Sequence, residues 1–129
     1  MYAPMPERAD IAARGCVNAA LLVHKRLGPG LLESVYEACL AHELRKSGLA
    51  AERQLLIPLV YDGLEFEAAY RVDLLVDESV IVEVKSVDAL APIHEAQLLT
   101  YLKLSGLRLG LLINFNVPLL KHGVRRFAL

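Results

Sequence analysis

Two short stretches place charged groups where aliphatic side chains would be expected. Ile81-Val82-Glu83-Val84-Lys85 sets an acid and a base in a β-rich run, and Val72-Asp73-Leu74-Leu75-Val76 carries an acid in another. Strand period puts Glu83 and Lys85 on one face and Val82 and Val84 on the other. Asp77-Glu78-Ser79 reads as the turn between the two runs. Counting outward from it, Val76 faces Val80 and Asp73 faces Glu83, with Cβ atoms about 5 Å apart. Two carboxylates that close repel unless a positive charge lies between them. A divalent cation supplies it, because Mg²⁺ takes oxygen ligands and keeps sites for water and phosphate. Lys85, two residues on, can hold a water or neutralise charge on a phosphate. The chemistry these residues suggest is metal-assisted phosphodiester hydrolysis. The plainer alternative is a half-exposed hairpin with a loose Glu83–Lys85 pair on its wet face.

Other residues can complete such a site. Gln97 and Tyr101 are four apart and share a helix face, with His94 on the same side. They can orient a water, a carboxylate or a nucleotide, or Tyr101 can be a core residue with its hydroxyl at the rim. Glu33 and Tyr36 are three apart, just after Gly30. A Glu in a first helical turn also suits the helix dipole by itself. His24 lies on an apolar face without a surrounding His/Cys cluster, which favours a satisfied core histidine over a metal ligand.

The elements that must position these residues follow from periodicity. Residues 7–27 read as a helix with Ile11, Val17, Ala20, Leu21, His24 and Leu27 inward, stopped by Gly28-Pro29-Gly30. Residues 31–47 read as a second, with Leu32, Val35, Tyr36, Cys39, Leu40 and Leu44 as its apolar face. Residues 52–61 read as a strand, at a sheet edge because of Pro58. Asp62-Gly63 is a hairpin signal. Residues 64–76 read as extended with a break near Arg71, and 80–86 as a short strand. Helical period returns over 92–105, with Ile93, Leu98 and Leu102 available to the core. Residues 108–115 are nearly all apolar, as a strand buried on both faces is, and 123–128 add a last short strand. The order α-α-β-β-β-α-β(-β) implies an α/β (α+β) fold, with a central mixed sheet flanked by helices.

The chain has 129 residues, which fits one domain over residues 1–129. A chain of that size needs no disulfide or structural metal to fold, and Cys16 and Cys39 are too few and too scattered for either. With 55% apolar residues it is not a disordered chain. No apolar run approaches the ~18 residues of a membrane span, so no membrane partner is expected. The opening MYAPMPERAD lacks the basic-then-apolar order of a signal peptide, so the cytoplasm is the expected compartment. A net charge of −1 excludes a protein that coats nucleic acid by bulk charge, though not one with a local basic groove. Lys121, Arg125 and Arg126, with His122, Lys103 and Arg108, are the candidate backbone contacts.

Gly30-Leu-Leu-Glu33-Ser-Val-Tyr36 resembles the signature of the GxxExxY proteins, a prokaryotic family placed in the PD-(D/E)xK nuclease superfamily. Leu27-Gly28-Pro29-Gly30, Tyr70-Arg71-Val72-Asp73, Glu83-Val84-Lys85, His94-Glu-Ala-Gln97-Leu-Leu-Thr-Tyr101-Leu102 and Gly110-Leu-Leu-Ile-Asn114-Phe115 follow in the same order, over roughly residues 20–127. Gln97-x-x-x-Tyr101 is also similar to the motif of RecB-type and Cas4-type nucleases. The resemblance implies a restriction-endonuclease-like core. It implies Asp73 and Glu83 as acidic metal ligands with the Val84 carbonyl as a third, and Mg²⁺ or Mn²⁺ as the cofactor. By the same resemblance Lys85 is the catalytic lysine, Glu33 the acid from the first core helix, and Gln97 and Tyr101 the helix that completes the pocket. Val72 stands where the superfamily signature has proline, and Asn116 where a family glycine is expected. The expected function is a metal-dependent nuclease acting on DNA. The alternative is a catalytically silent nuclease-fold module that binds nucleic acid or a partner protein. Assembly as a homodimer or as a subunit of something larger is left open.

Overall fold

The computed structural model describes residues 4–129. Met1–Ala3, part of the segment read for a signal peptide, lie outside the described residues. The elements run α1 (Glu7–Leu27), α2 (Glu33–Lys46), β1 (Ala51–Tyr61), β2 (Leu64–Val76), β3 (Val80–Lys85), α3 (Pro92–Ser105), β4 (Leu109–Asn114), a 3₁₀ turn (Leu120–His122) and β5 (Val124–Ala128). Among the described residues, five strands form one sheet in the order β1-β2-β3-β4-β5. β3 and β4 are parallel and joined through α3, and the other pairs are antiparallel. The mixed sheet flanked by helices is the expected architecture. No helix among the described residues is long and apolar enough to cross a membrane.

The helices are bounded by local chemistry. α1 has Glu7 and Asp10 in its first turn and His24, Lys25 and Arg26 in its last, matching the helix dipole at both ends. Pro92 opens α3, where the Ala91 N–H donates to His94 Nδ1 at 3.0 Å. Gly106 closes it in the left-handed conformation. His94 is thereby a capping residue.

One core cluster lies between the sheet and α1/α2, with Leu74, Val76, Val80, Val82, Val84, Leu111 and Ile113 from the strands. The second lies under α3, with Val72, Ile81, Leu98, Leu102 and Leu112. β4 is buried along its whole length, as its continuous apolar run implied.

Two helix faces differ from those read off the sequence. α1 buries Ala9, Ala12, Ala13, Cys16, Ala19, Ala20 and Val23, while Ile11, Leu21 and Leu27 are exposed. Small residues bring the helix axis close to its neighbours, so the small stripe rather than the large one faces inward. In α2, Tyr36, Leu40 and Leu44 are buried with Glu37 and Ala41, and Leu32 and Val35 face out. Ile93 is exposed as well, and the α3 contribution to the core is Leu98 and Leu102. His24 is the satisfied histidine expected of it, its Nε2 2.7 Å from the Val117 carbonyl oxygen.

β2 has no break at Arg71. Its irregularities lie on either side. The β1–β2 register shifts between Ile57 and Leu59, around edge-strand Pro58. Gln54 takes φ 53° and drops out of the ladder opposite Asp73. Leu55 and Val72 pack on the α3 side, whereas Leu74 packs on the α1/α2 side and Arg53 reaches Glu37 of α2. Both strands therefore change faces at the Gln54/Asp73 step.

Gly110 sets the spacing of α3 from the sheet. A Cβ there would lie 2.9 Å from Leu98 Cδ1 and 3.2 Å from Leu102 Cδ1, both fully buried side chains. Gly110→Val is expected to destabilise the fold by about 1–3 kcal/mol, the usual effect of overpacking a filled core. Urea unfolding of the two proteins measures it; an unchanged midpoint would show that α3 is not seated as described.

Candidate active site

The turn at Asp77-Glu78-Ser79 gives the register read from the sequence: Val76 pairs with Val80, Leu75 with Ile81 and Leu74 with Val82. Asp73 and Glu83 come next, where the regular pairing of the two strands ends. Asp73 takes the place of a ladder partner with its side chain. The Val84 N–H donates to Asp73 Oδ2 at 2.8 Å, and Gln54 Nε2 donates to Oδ1 at 3.3 Å. Gln54 also donates to Oε1 of buried Glu37, whose Oε2 accepts from Arg53 Nε at 3.1 Å. This relay from α2 through β1 fixes the Asp73 carboxylate.

Glu83 is treated differently. It is only 4% exposed, and its Oε1 is buried with no hydrogen-bond partner among the described residues. Burial pushes the carboxyl up to about 9; a hydrogen bond and like charge from Asp73 add to this, and Lys85 opposes it. Desolvation thus outweighs the mutual repulsion anticipated from the register.

The two acids, Lys85, Gln97 and Tyr101 line one cleft of about 350 Å³ together with Arg71, Tyr70, Leu56, Ala68 and Ala69. Tyr101 stacks on Tyr70 with ring centroids 4.6 Å apart. Burial, first, and the charges of Glu83 and Asp73 raise the Tyr101 hydroxyl above its usual range, against a hydrogen bond with Gln97. The Tyr70 hydroxyl is buried without a partner among the described residues, and burial raises it too.

Glu33 is not brought into this cleft. Its carboxylate accepts from the Ser86 N–H at 3.1 Å in a neighbouring depression lined by Leu31, Leu32 and Ser34. It holds the chain just beyond Lys85. Tyr36 is a structural clamp: it donates to the Gly28 carbonyl at 2.5 Å, accepts from Leu31 N, and stacks on Phe115. Nor do the C-terminal cations form one surface. Arg125 pairs with Glu95 of α3 on one side of the sheet, and Arg126 with Asp10 of α1 on the other. Lys121 is exposed on the 3₁₀ turn. Sequence reading missed Gln54 and Glu37, which look like ordinary outward polar residues, and gave no role to Arg71, near which a break in the strand was expected.

The donor set suits a hard cation. Asp73 and Glu83 offer carboxylate oxygens, and an unpartnered buried oxygen such as Glu83 Oε1 lacks compensation until something positive reaches it. No group of three His, Cys, Asp or Glu side chains converges among the described residues. Further ligands would therefore be main-chain oxygen, water or substrate phosphate, which is how Mg²⁺ is commonly held.

A family model for the PD-(D/E)XK nuclease superfamily matches residues 11–127. The chain belongs to that superfamily, and the fold agrees with its restriction-endonuclease-like core. No curated protein and no solved structure matches it. The superfamily membership indicates nuclease chemistry, a nucleic-acid substrate and the use of divalent metal.

The raised Glu83 carboxyl has a definite pH signature. Between its ordinary value of 4.5 and about 9 the folded protein holds a proton that the unfolded chain releases. Stability therefore falls as pH rises through that window, and the contribution is fully present only below the lower value. In metal-free buffer the wild type is expected to lose stability from pH 5 to pH 8. Glu83→Gln is expected to flatten that slope and to raise Tm at pH 8 by roughly 3–6 °C, for about 1 kcal/mol. Thermal melts across pH check it, and parallel profiles for the two proteins would refute the assignment.

Proposed function

We propose that this chain, residues 1–129 acting as one domain, is a Mg²⁺- or Mn²⁺-dependent nuclease that hydrolyses phosphodiester bonds in DNA. The observation that carries the reading is the Asp73/Glu83 pair, with a buried, unpartnered Glu83 oxygen, in one cleft with Lys85 and Gln97. The resemblance of Gly30-Leu-Leu-Glu33-Ser-Val-Tyr36 to the GxxExxY signature, and of the Gln97/Tyr101 pair to the RecB- and Cas4-type motif, supports reading it as a prokaryotic GxxExxY protein, and the opening residues support the cytoplasm as its compartment.

In this reading Asp73, Glu83 and the Val84 carbonyl would hold the metal, which would supply polarisation of the scissile phosphate and a water of lowered pKa. Asp73 is preoriented for the task by Val84 N–H and Gln54. Lys85 makes no ion pair or hydrogen bond through its ammonium group with any described residue, so its charge is available to the phosphate as negative charge builds on it. Gln97 orients a water or phosphate oxygen from α3, and Tyr101 with Tyr70 forms an aromatic wall. Glu33 acts through Ser86 to position the end of β3.

The second reading, a silent nuclease-fold module that binds nucleic acid or protein, is favoured by the net charge of −1 and by the paired state of Arg125 and Arg126. Lys121, Arg125 and Arg126 remain the backbone contacts to test if longer substrates bind outside the cleft.

Two measurements decide between the readings. Millimolar Mn²⁺ is expected to raise Tm, because a ligand of the native state alone stabilises it, and Asp73→Asn is expected to abolish the shift. Divalent-dependent cleavage of single- and double-stranded DNA and of RNA is then assayed. Lys85→Ala should lower turnover by at least about 100-fold with little loss of stability, by analogy with removal of a single charge-stabilising group. Wild type that binds nucleic acid and cuts none of these substrates would establish the silent module instead.

A further inference from the structure

The cleft holds a second cation that the metal-site reading does not use. Arg71 is exposed on β2, two residues before Asp73, and lines the same cleft as Glu83 and Lys85. Its guanidinium makes no hydrogen bond or ion pair with any described residue. Arg8, Arg26, Arg53, Arg125 and Arg126, by contrast, each hold a carboxylate. Arg71 thus stands near two acids without pairing with either, and its five donors are uncommitted.

Its surroundings are also specific. Leu56 is its ladder partner on β1 and is 57% exposed. Ala68 and Ala69, both exposed, precede it on β2 and complete that wall of the cleft. Two alanines leave room where larger side chains would fill the cleft, and with Leu56 they give the stretch of lining that includes Arg71 a small apolar shelf. A fork of donors next to an apolar shelf matches a nucleotide: phosphate oxygens for the fork, sugar or base for the shelf. Farther out on the hairpin the charges are acidic, with Asp62, Glu65 and Glu67, so the positive potential here is local to Arg71 and Lys85.

We propose that Arg71, with the shelf of Leu56, Ala68 and Ala69, is a nucleotide subsite that grips the backbone phosphate next to the scissile one. The proposal rests on the nuclease reading for the position of the scissile phosphate. Arg71 is a binding and positioning residue, and Lys85 acts where charge develops. With no basic excess elsewhere in the cleft, this one contact carries a large share of affinity for short substrates.

The test measures binding of labelled single- and double-stranded oligonucleotides in Mg²⁺ on a Lys85→Ala background, so that the substrate stays intact. Adding Arg71→Ala is expected to weaken binding about 5–10-fold and to reduce the slope of log K against log salt by about 0.7–0.9, the value of one phosphate contact. Arg71→Lys should restore the slope but only part of the affinity, because an ammonium lacks the fork. In the wild-type background Arg71→Ala should raise KM with little change in kcat. The Mn²⁺-induced rise in Tm should persist, which separates a lost contact from a damaged fold. An unchanged affinity and slope, a fall in kcat alone, or a parent protein that binds no nucleic acid would overturn the subsite. Arg71-dependent binding by a wild type that cuts nothing would keep the subsite and end the nuclease reading. Cleavage with Arg71-independent binding would do the reverse.

Discussion

An ionised carboxylate inside a protein needs either donors or a cation, and Glu83 has neither on one of its oxygens. Leaving a charged group buried and uncompensated costs several kcal/mol. The chain has donors nearby and directs them elsewhere: the Val84 N–H and the Gln54 amide go to Asp73. The result is an asymmetric pair. Asp73 is held in position by hydrogen bonds, and Glu83 carries a proton that an incoming cation can replace. Much of the irregular backbone serves this arrangement. β2 parts from β3 where the acids meet, Gln54 adopts a positive φ, and Glu37 of α2 is buried to hold Gln54 and Arg53.

The opposite wall depends on how closely α3 approaches the sheet. Gly110 lies on β4, not in the cleft, yet its missing side chain lets Leu98 and Leu102 settle onto the strand. With those two residues inward, Gln97 and Tyr101 fall on the side of β3 and β2, and Tyr101 meets the ring of Tyr70. The far end of β3 is tied as firmly. Glu33 accepts from Ser86 N, and Asn114 both accepts from Val87 N and donates to its carbonyl. Lys85 therefore projects from a strand whose continuation is held on two sides, which narrows the positions its ammonium group can occupy.

How much of this is legible in the sequence depends on the length scale of the cause. Helix limits and the β2–β3 register are set by local signals, namely Pro92, Gly106 and the Asp77-Glu78-Ser79 turn, and these lead directly to Asp73 facing Glu83. Which side of a helix faces inward is not local. In α1 the large residues Ile11 and Leu21 look like a core face, but the alanines and Cys16 permit closer packing, and tertiary contact decides. The Gln54 relay is invisible for a similar reason. Its role requires a backbone irregularity on β1, an acid on α2 and Asp73 on β2, three elements whose meeting no spacing rule predicts. Glu33 illustrates the limit of a motif: its helix and its neighbourhood at the end of β3 follow the resemblance, but its carboxylate is spent on Ser86 rather than aimed into the cleft.

Charge within the cleft links binding to metal. Without metal Glu83 holds its proton near neutral pH, so Asp73 offsets one of the two positive charges of Arg71 and Lys85 and the lining residues keep a single net positive charge. A polyanion gains little net attraction from such a surface, and the chain's overall charge of −1 adds none. The C-terminal arginines do not change this. They sit on β5, two strands beyond β3 and so, at about 4.8 Å per strand, roughly 10 Å from it, and each already faces a carboxylate. A divalent cation that displaces the Glu83 proton would raise the net charge of the cleft from one to two, a field that phosphate oxygens would share with Arg71 and Lys85. In a protein without a basic face, the same ion that enables hydrolysis would then also strengthen the hold on substrate. Affinity and turnover become two consequences of one occupancy, a coupling that a strongly basic nuclease surface would mask.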